Sequence, residues 1–275
     1  MIARKALPAE FLDFNRKWGA PGRNMAVDGM NPQQRLADPD PKRFGPFGFQ
    51  FPNEIRTFEY PFAASHVPPG PRRVLDVGAG LSGLQFVLDM QGADVTVVDP
   101  AAAISDDEAP TEANFWLVLR HADHAKLNEL FGTSVTLVGE GVQHWDHPAE
   151  SFDTVVCLSV LEHVDPVEAR EMLDAITRLL KPGGQLLLTV DLFLDLKPFG
   201  VLEQNVWGRS HDVYGLLRGL PLRLDEGERG ELLGFPEFDF DRVVKLLPEL
   251  LVSKHYPVMS QSMVLTKVEP EVSFS

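Results

Sequence analysis

One segment constrains the fold more than any other: residues 73–100, RVLDVGAGLSGLQFVLDMQGADVTVVDP. RVLDV is an apolar run of strand length. GAGLSG is a glycine turn, LQFVLDMQ has room for two helical turns before Gly92, and DVTVVDP is a second apolar run. Strand, turn, helix and strand at this spacing form a βαβ unit, in which the crossover makes the two strands parallel. Such a sheet must be covered on both faces. Gly78, Gly80 and Gly83 spell G-x-G-x-x-G, which lets the backbone turn sharply and lets a ligand approach without Cβ obstruction. On its own this turn serves a dinucleotide equally well.

The pattern continues downstream. SVTLVGE, FDTVVCLSV and QLLLTVDLFL read as a third, fourth and fifth strand, with further strands near Leu222 and over PVMSQSMVLTKV. Residues 111–131 read as a helix stopped by Gly132, and residues 239–251 as another. Between Pro166 and Leu180, the residues Val167, Met172, Leu173, Ile176, Leu179 and Leu180 form one helical stripe. Asp165 is its N-cap and Pro166 its first turn, Lys181 suits the terminal dipole, and PGG ends it. The expected fold is α/β and doubly wound: a mostly parallel seven-stranded sheet with an antiparallel last strand. Residues 1–69 are broken by Pro and Gly yet aromatic, which reads as an arm or lid packing on the core. Residues 70–268 form the main domain, with residues 192–220 as an insertion for the second substrate and residues 269–275 as a tail.

The 275 residues are 44% hydrophobic and 24% charged, enough for one large domain with a sizeable core. Lys and Arg number 25 against 40 Asp and Glu, a net charge of −15, which opposes a nucleic-acid partner. No run approaches the roughly 20 apolar residues of a membrane span, and MIARKALPAEFLDF is not a secretory signal, so a cytoplasmic protein is expected. Cys157, the only cysteine, lies in TVVCLS, where a buried inert thiol is expected.

Asp76 separates the two kinds of nucleoside ligand. A carboxylate two residues before the first glycine is a poor neighbour for a pyrophosphate and a good one for an ammonium or sulfonium. Asp99, at the end of the second strand, can accept from both hydroxyls of a ribose. From Arg73 to Asp191, and again in the last strand, the chain resembles the class I S-adenosylmethionine-dependent methyltransferases with a D-x-G-x-G first motif. That resemblance implies that Asp76, Gly78, Ala79 and Gly80 hold the methionine part of S-adenosylmethionine, and that Asp99 and Pro100 hold the ribose. Within GEGV it implies that Glu140 faces the adenine amino group while Gly141 and Val142 meet the ring. Glu140 departs from the aspartate usual there. SFDTVVCLSVLEHV is similar to the fourth motif, with Leu158, Ser159 and Val160 at the methyl-transfer mouth, and LLKPGGQLLLTV resembles the segment that follows it.

Candidates for proton transfer are His163, Glu162 and Asp191, at or near the carboxyl ends of the fourth and fifth strands, where open α/β sheets bind ligands. Asp191 and Asp195 would share a face only in a helix; no resident metal is expected. HADH (121–124) and HWDH (144–147) read as surface features. Tyr60, Phe193, Trp207 and His211 are candidates for contacting the methyl acceptor, and Glu59 and Tyr60 for closing over the cofactor. The leading expectation is methyl transfer to a small molecule, with a homo-oligomer compatible with the sequence. Methylation of a protein or nucleic acid, and cofactor binding without transfer, stay open as alternatives.

Overall fold

The computed structural model describes residues 1–19, 32–40, 45–50, 53–103, 120–254 and 256–269. Its strands are β1 (Arg73–Val77), β2 (Asp94–Val98), β3 (Thr136–Val138), β4 (Phe152–Leu158), β5 (Leu180–Phe193), β6 (Leu222–Glu226) and β7 (Val258–Lys267). They form one seven-stranded sheet in the order β3-β2-β1-β4-β5-β7-β6. β1 to β5 pair in parallel, and β7 runs antiparallel between β5 and β6. The strand order reverses between β1 and β4, so the carboxyl ends of these strands open a crevice at the switch point.

Alternation along the strands builds two cores. Val74, Val156, Leu187 and Val264 face one side, with Leu84, Phe86 and Leu88 of α4 (Gly83–Met90). Leu75, Val77, Val155, Cys157, Leu186 and Leu188 face the other, with Leu173, Ile176 and Leu179 of α6 (Pro166–Leu179). The first of these helices starts where Ser82 Oγ accepts from Leu84 N at 3.1 Å. The later one starts where Asp165 Oδ1 accepts from Val167 N at 2.8 Å and Glu168 N at 3.0 Å.

Several local expectations change. Val167 is 69% exposed, so the buried stripe begins one turn later, at Ala169. The PGG sequence does not cap α6. Leu180 is already extended (φ −68, ψ 138), and Gly183 (φ +75) lies inside β5, near a register shift against Phe152 and Thr154. Lys181 turns away from the helix to pair with Asp153 at 2.6 Å. The described part of the helix before Gly132 is α5 (His121–Phe131), residues 111–119 lying outside the described residues. The late helix is shorter than expected, Phe240–Leu246.

The segment before β1 is woven into the domain. Ala3 N donates to Ser260 O at 2.9 Å, so residues 2–3 run along β7 where β6 leaves its edge free. Helices α1 (Ala9–Trp18), α2 (Pro32–Ala37) and α3 (Arg56–His66) follow. Phe47, Phe49, Phe58, Tyr60 and Phe62 are buried in the same core as Val74 and Phe86; Phe51 lies outside the described residues. Their rings stack on one another, Phe47 on Tyr60 at 5.1 Å and Phe58 on Phe62 at 5.8 Å. Truncating one such buried ring costs about 3–5 kcal/mol. Deleting residues 1–50 is therefore expected to lower the melting temperature and cofactor affinity together. A truncated chain that melts like the whole one and loses only turnover would identify the segment as a lid.

Candidate active site

The glycine turn follows β1 directly. Gly78 (φ +66) and Gly80 (φ +56) take the left-handed backbone that a side chain resists, and a Cβ on Gly78 would lie 2.8 Å from Val160 Cγ1. Asp99, at the end of β2, holds this turn: its Oδ2 accepts from Gly80 N at 2.8 Å and its Oδ1 from Ala101 N at 2.9 Å. Gln85 supports the turn from below, donating to Gly80 O at 3.0 Å and accepting from His124 Nε2 at 2.7 Å. His124 is thus a buried, neutral histidine, its pKa pushed down to about 4 by burial, and not the surface feature expected of HADH. His147 of HWDH is half-buried and stacked on Trp145 at 4.2 Å.

Asp76 is buried at the end of β1, and its Oδ2 meets no donor among the described residues. Burial, and then the charge of Asp99, push its pKa up to about 8. Burial also raises Asp99, against the pull of its two backbone N–H donors. Ala79 is half-buried beside them and Pro100 exposed. Beyond β3 the loop carries exposed Glu140, half-buried Gly141 and buried Val142. Asp99 N donates to Val138 O at 3.0 Å, which ties this loop's strand to the ribose side of the crevice.

The ends of β4 and β5 form a second half. Leu158 is buried there, and Ser159 sits in left-handed backbone (φ +51), held by its N–H donating to Thr189 Oγ1 at 3.0 Å. Its hydroxyl donates to Glu59 Oε1 at 2.7 Å, as do Thr189 at 2.7 Å and Ser260 at 2.6 Å. Glu59 Oε2 is paired with Arg56. Burial opposes the charge of Glu59, but Arg56 and the three hydroxyls outweigh it and hold the carboxyl below its ordinary range.

Glu162 and Asp191 lie near enough to this pair to feel its charges. Glu162 is buried, and neither oxygen meets an N–H or O–H donor among the described residues. Burial pushes it up to about 8, and Asp191 rises well above the carboxylate range through burial and then the charges of Glu162 and Glu59. A proton on one acid lets it hydrogen-bond the other. His163 stands exposed at the rim with Nδ1 2.6 Å from Trp207 O. His211 is buried and donates from Nε2 to Leu161 O at 2.8 Å, so it holds the turn that carries Glu162. Phe193 is fully buried with Ile55, Leu196 and Val258, Tyr60 is packed under Phe47, and Trp207 stacks on Tyr256 at 5.0 Å. Asp195 follows β5 in a turn and accepts from Asn205 at 3.0 Å, so the helical pairing with Asp191 does not form. Among the described residues no group of three or more His, Cys, Asp and Glu is placed to hold a metal. A cleft of about 320 Å³ opens between Glu162, His163 and Asp165 on one side and Asn205, Trp207 and Arg209 on the other.

A family model described as "Methyltransferase domain" matches residues 35–226. The chain belongs to the S-adenosylmethionine-dependent methyltransferases. The match to this methyltransferase begins inside the segment read as an arm. Among curated relatives, it is 31% identical over 116 residues to a ubiquinone biosynthesis O-methyltransferase of Coxiella burnetii, covering 42% of each chain. It is 33% identical over 131 residues to the mitochondrial ubiquinone biosynthesis O-methyltransferase of Mus musculus, covering 46% of this chain and 31% of that one. The matches thus span well under two thirds of these relatives. In fold it is similar to the 1,6-didemethyltoxoflavin-N1-methyltransferase of Burkholderia thailandensis (TM-score 0.52, 20% identity, 98% of this chain and 95% of that one). It is also similar to the [4+2]-cyclase SpnF (TM-score 0.51, 17% identity, 76% of this chain and 79% of that one). One fold can therefore host different chemistries.

The residues present fit the family's cofactor. Asp76 is a buried carboxylate without a donor, and S-adenosylmethionine brings an ammonium and a sulfonium. Asp99 has lone pairs left for ribose hydroxyls. Arg56, Thr189, Ser260, Tyr256 and Gln85 were not singled out in the sequence; only Glu59, in FEYPF, carried a hint.

The raised acids dictate a pH response. Asp76, Glu162 and Asp191 bind protons more tightly folded than unfolded, where carboxyls titrate near 4. Their contribution is full below that value and is lost as pH rises through about 8. The melting temperature of the ligand-free protein should fall between pH 5 and pH 9. With S-adenosylhomocysteine bound, pairing of its ammonium with ionised Asp76 would make the fall shallower. Parallel curves with and without ligand would refute the pairing.

Proposed function

We propose that this methyltransferase transfers the methyl group of S-adenosylmethionine to a small molecule, with the Glu162–Asp191 pair taking the acceptor's proton. The cofactor supplies an electrophilic methyl carbon on a positively charged sulfur. The protein's part is alignment and removal of a proton. The observation that carries the reading is Glu162: its carboxyl is buried without a donor beside Asp191, in a residue that lines the 320 Å³ cleft. A base whose pKa lies near the working pH is effective in proton transfer, and burial puts Glu162 there.

Asp76, Gly78 and Gly80 would receive the methionine part. Asp99 would receive the ribose, and the loop of Glu140, Gly141 and Val142 the adenine. His163 and Trp207 border the acceptor cleft, while His211 and Phe193 act from behind as supports of its walls. Residues 192–220 would supply the outer wall of the acceptor site. The curated relatives, named for O-methylation in ubiquinone biosynthesis, and the Burkholderia neighbour, named for methylation of 1,6-didemethyltoxoflavin, support a small acceptor. The net charge of −15 disfavours a nucleic acid. Among the described residues no helix is long and apolar enough to cross a membrane, which is compatible with a cytoplasmic protein.

S-adenosylhomocysteine release across a metabolite panel tests the activity. With an acceptor found, Asp191→Asn and Glu162→Gln should each slow transfer by about 10²–10⁴-fold, the usual contribution of a positioned base. Affinity for S-adenosylhomocysteine should stay within about threefold, below the 1.4 kcal/mol that marks a factor of ten. Turnover unchanged in both variants would remove the pair from the mechanism.

A further inference from the structure

The acids at the ends of β4 and β5 differ in how completely they are satisfied. Glu59 is complete, with three hydroxyls on one oxygen and Arg56 on the other. Asp191 receives only long contacts, from Ser159 Oγ at 3.3 Å and Tyr256 OH at 3.5 Å. Glu162, fully buried, receives no N–H or O–H donor among the described residues. Two buried carboxyls in contact require protons of their own or donors and charge from a ligand.

The surrounding charges show what such a ligand can be. Arg56 is committed to Glu59. At the rim, His163 is engaged by the Trp207 carbonyl and Arg209 by Gln204. The wall beside Asp191 is aromatic: Tyr256 has Trp207 stacked on it at 5.0 Å and Phe193 6.1 Å away.

Building on the methyltransferase reading, we propose that the accepting atom is a basic amine nitrogen, presented to Glu162 and Asp191 as an ammonium and methylated as the free amine. An ammonium brings three N–H donors and a positive charge to two acids of which one has no donor and the other only long contacts. The ring of Trp207, 39% exposed at the cleft, attracts the same charge. A phenol or carboxylic acid brings a single O–H and, once deprotonated, leaves a further anion beside the pair.

The step balances. The ammonium gives one proton to the singly ionised Glu162–Asp191 pair. The freed nitrogen lone pair forms the bond to the methyl carbon as the carbon–sulfur bond breaks, and sulfur keeps that electron pair. The products are the methylated ammonium and S-adenosylhomocysteine, and the proton on the acid pair passes to solvent.

The test uses the full chain with S-adenosylhomocysteine bound, titrated with 2-phenylethylamine, 2-phenylethanol and phenylacetate, probes of one shape with different head groups. The amine should bind about tenfold or more tightly than the alcohol, as a charge-assisted contact does over a neutral one. Its binding should abolish the infrared carbonyl band of a protonated carboxylic acid or shift it. Glu162→Gln should remove the preference while leaving alcohol binding and a cooperative melting transition in place. A complex that prefers the alcohol or the carboxylate, or shows no measurable preference for the amine, overturns the amine assignment alone. A chain that fails to bind S-adenosylhomocysteine overturns the underlying reading as well.

Discussion

At the carboxyl ends of β1, β4 and β5, a single guanidinium, that of Arg56, acts on Glu59, Asp76, Glu162 and Asp191, and draws the pKa of each downward. One cation cannot neutralise four buried acids. Glu59, with hydroxyls from β5, β7 and the residue after β4, takes the guanidinium and stays ionised. The others are left to burial, which drives them toward the neutral form. This unequal division separates a structural carboxylate from acids that a ligand must satisfy. It also explains why α3 belongs to the fold: its Glu59 joins helix and sheet through bonds that water cannot replace.

The same imbalance links the two halves of the crevice. On the β1 and β2 side, Asp76 and Asp99 face a glycine turn with no cation in contact among the described residues. On the β4 and β5 side, burial pushes Glu162 and Asp191 toward the neutral form. A positively charged sulfonium lying between would be attracted from both sides, in surroundings where low dielectric strengthens the attraction. Transfer neutralises the sulfur, so the attraction is present before the reaction and weakened after it, which favours release of S-adenosylhomocysteine.

The sheet and the glycine turn were legible because they are written locally. Strand, glycine turn, helix and strand follow one another within residues 73–100, and Asp76 and Asp99 fall at fixed distances from the glycines. The cap of α6 was equally local. What the sequence concealed depends on residues far apart in the chain. Glu59 meets Ser159, Thr189 and Ser260, which lie 100, 130 and 201 positions away. No periodicity brings such partners together. His124 misled because HADH is a polar string, and only packing shows that its histidine supports Gly80 through Gln85. The aromatic arm was legible only as a segment packing on the core; that Phe47, Phe49 and Phe58 join the same core as Val74 is set by packing. PGG after α6 marks a kink within β5, because hydrogen bonding to β4 extends the strand back to Leu180.

The central claim is that buried carboxylates select a ligand by its positive charge as well as by its nucleoside. Calorimetry can compare S-adenosylhomocysteine with 5′-methylthioadenosine, which keeps the nucleoside and sulfur but lacks the ammonium, and with NAD. The account predicts that S-adenosylhomocysteine binds about tenfold or more tightly than methylthioadenosine, since a hydrogen bond to a charged group contributes about 1.5–3 kcal/mol. It predicts that Asp76→Asn removes most of that difference. Equal affinities for the two sulfur nucleosides, or tighter binding of NAD, would contradict it.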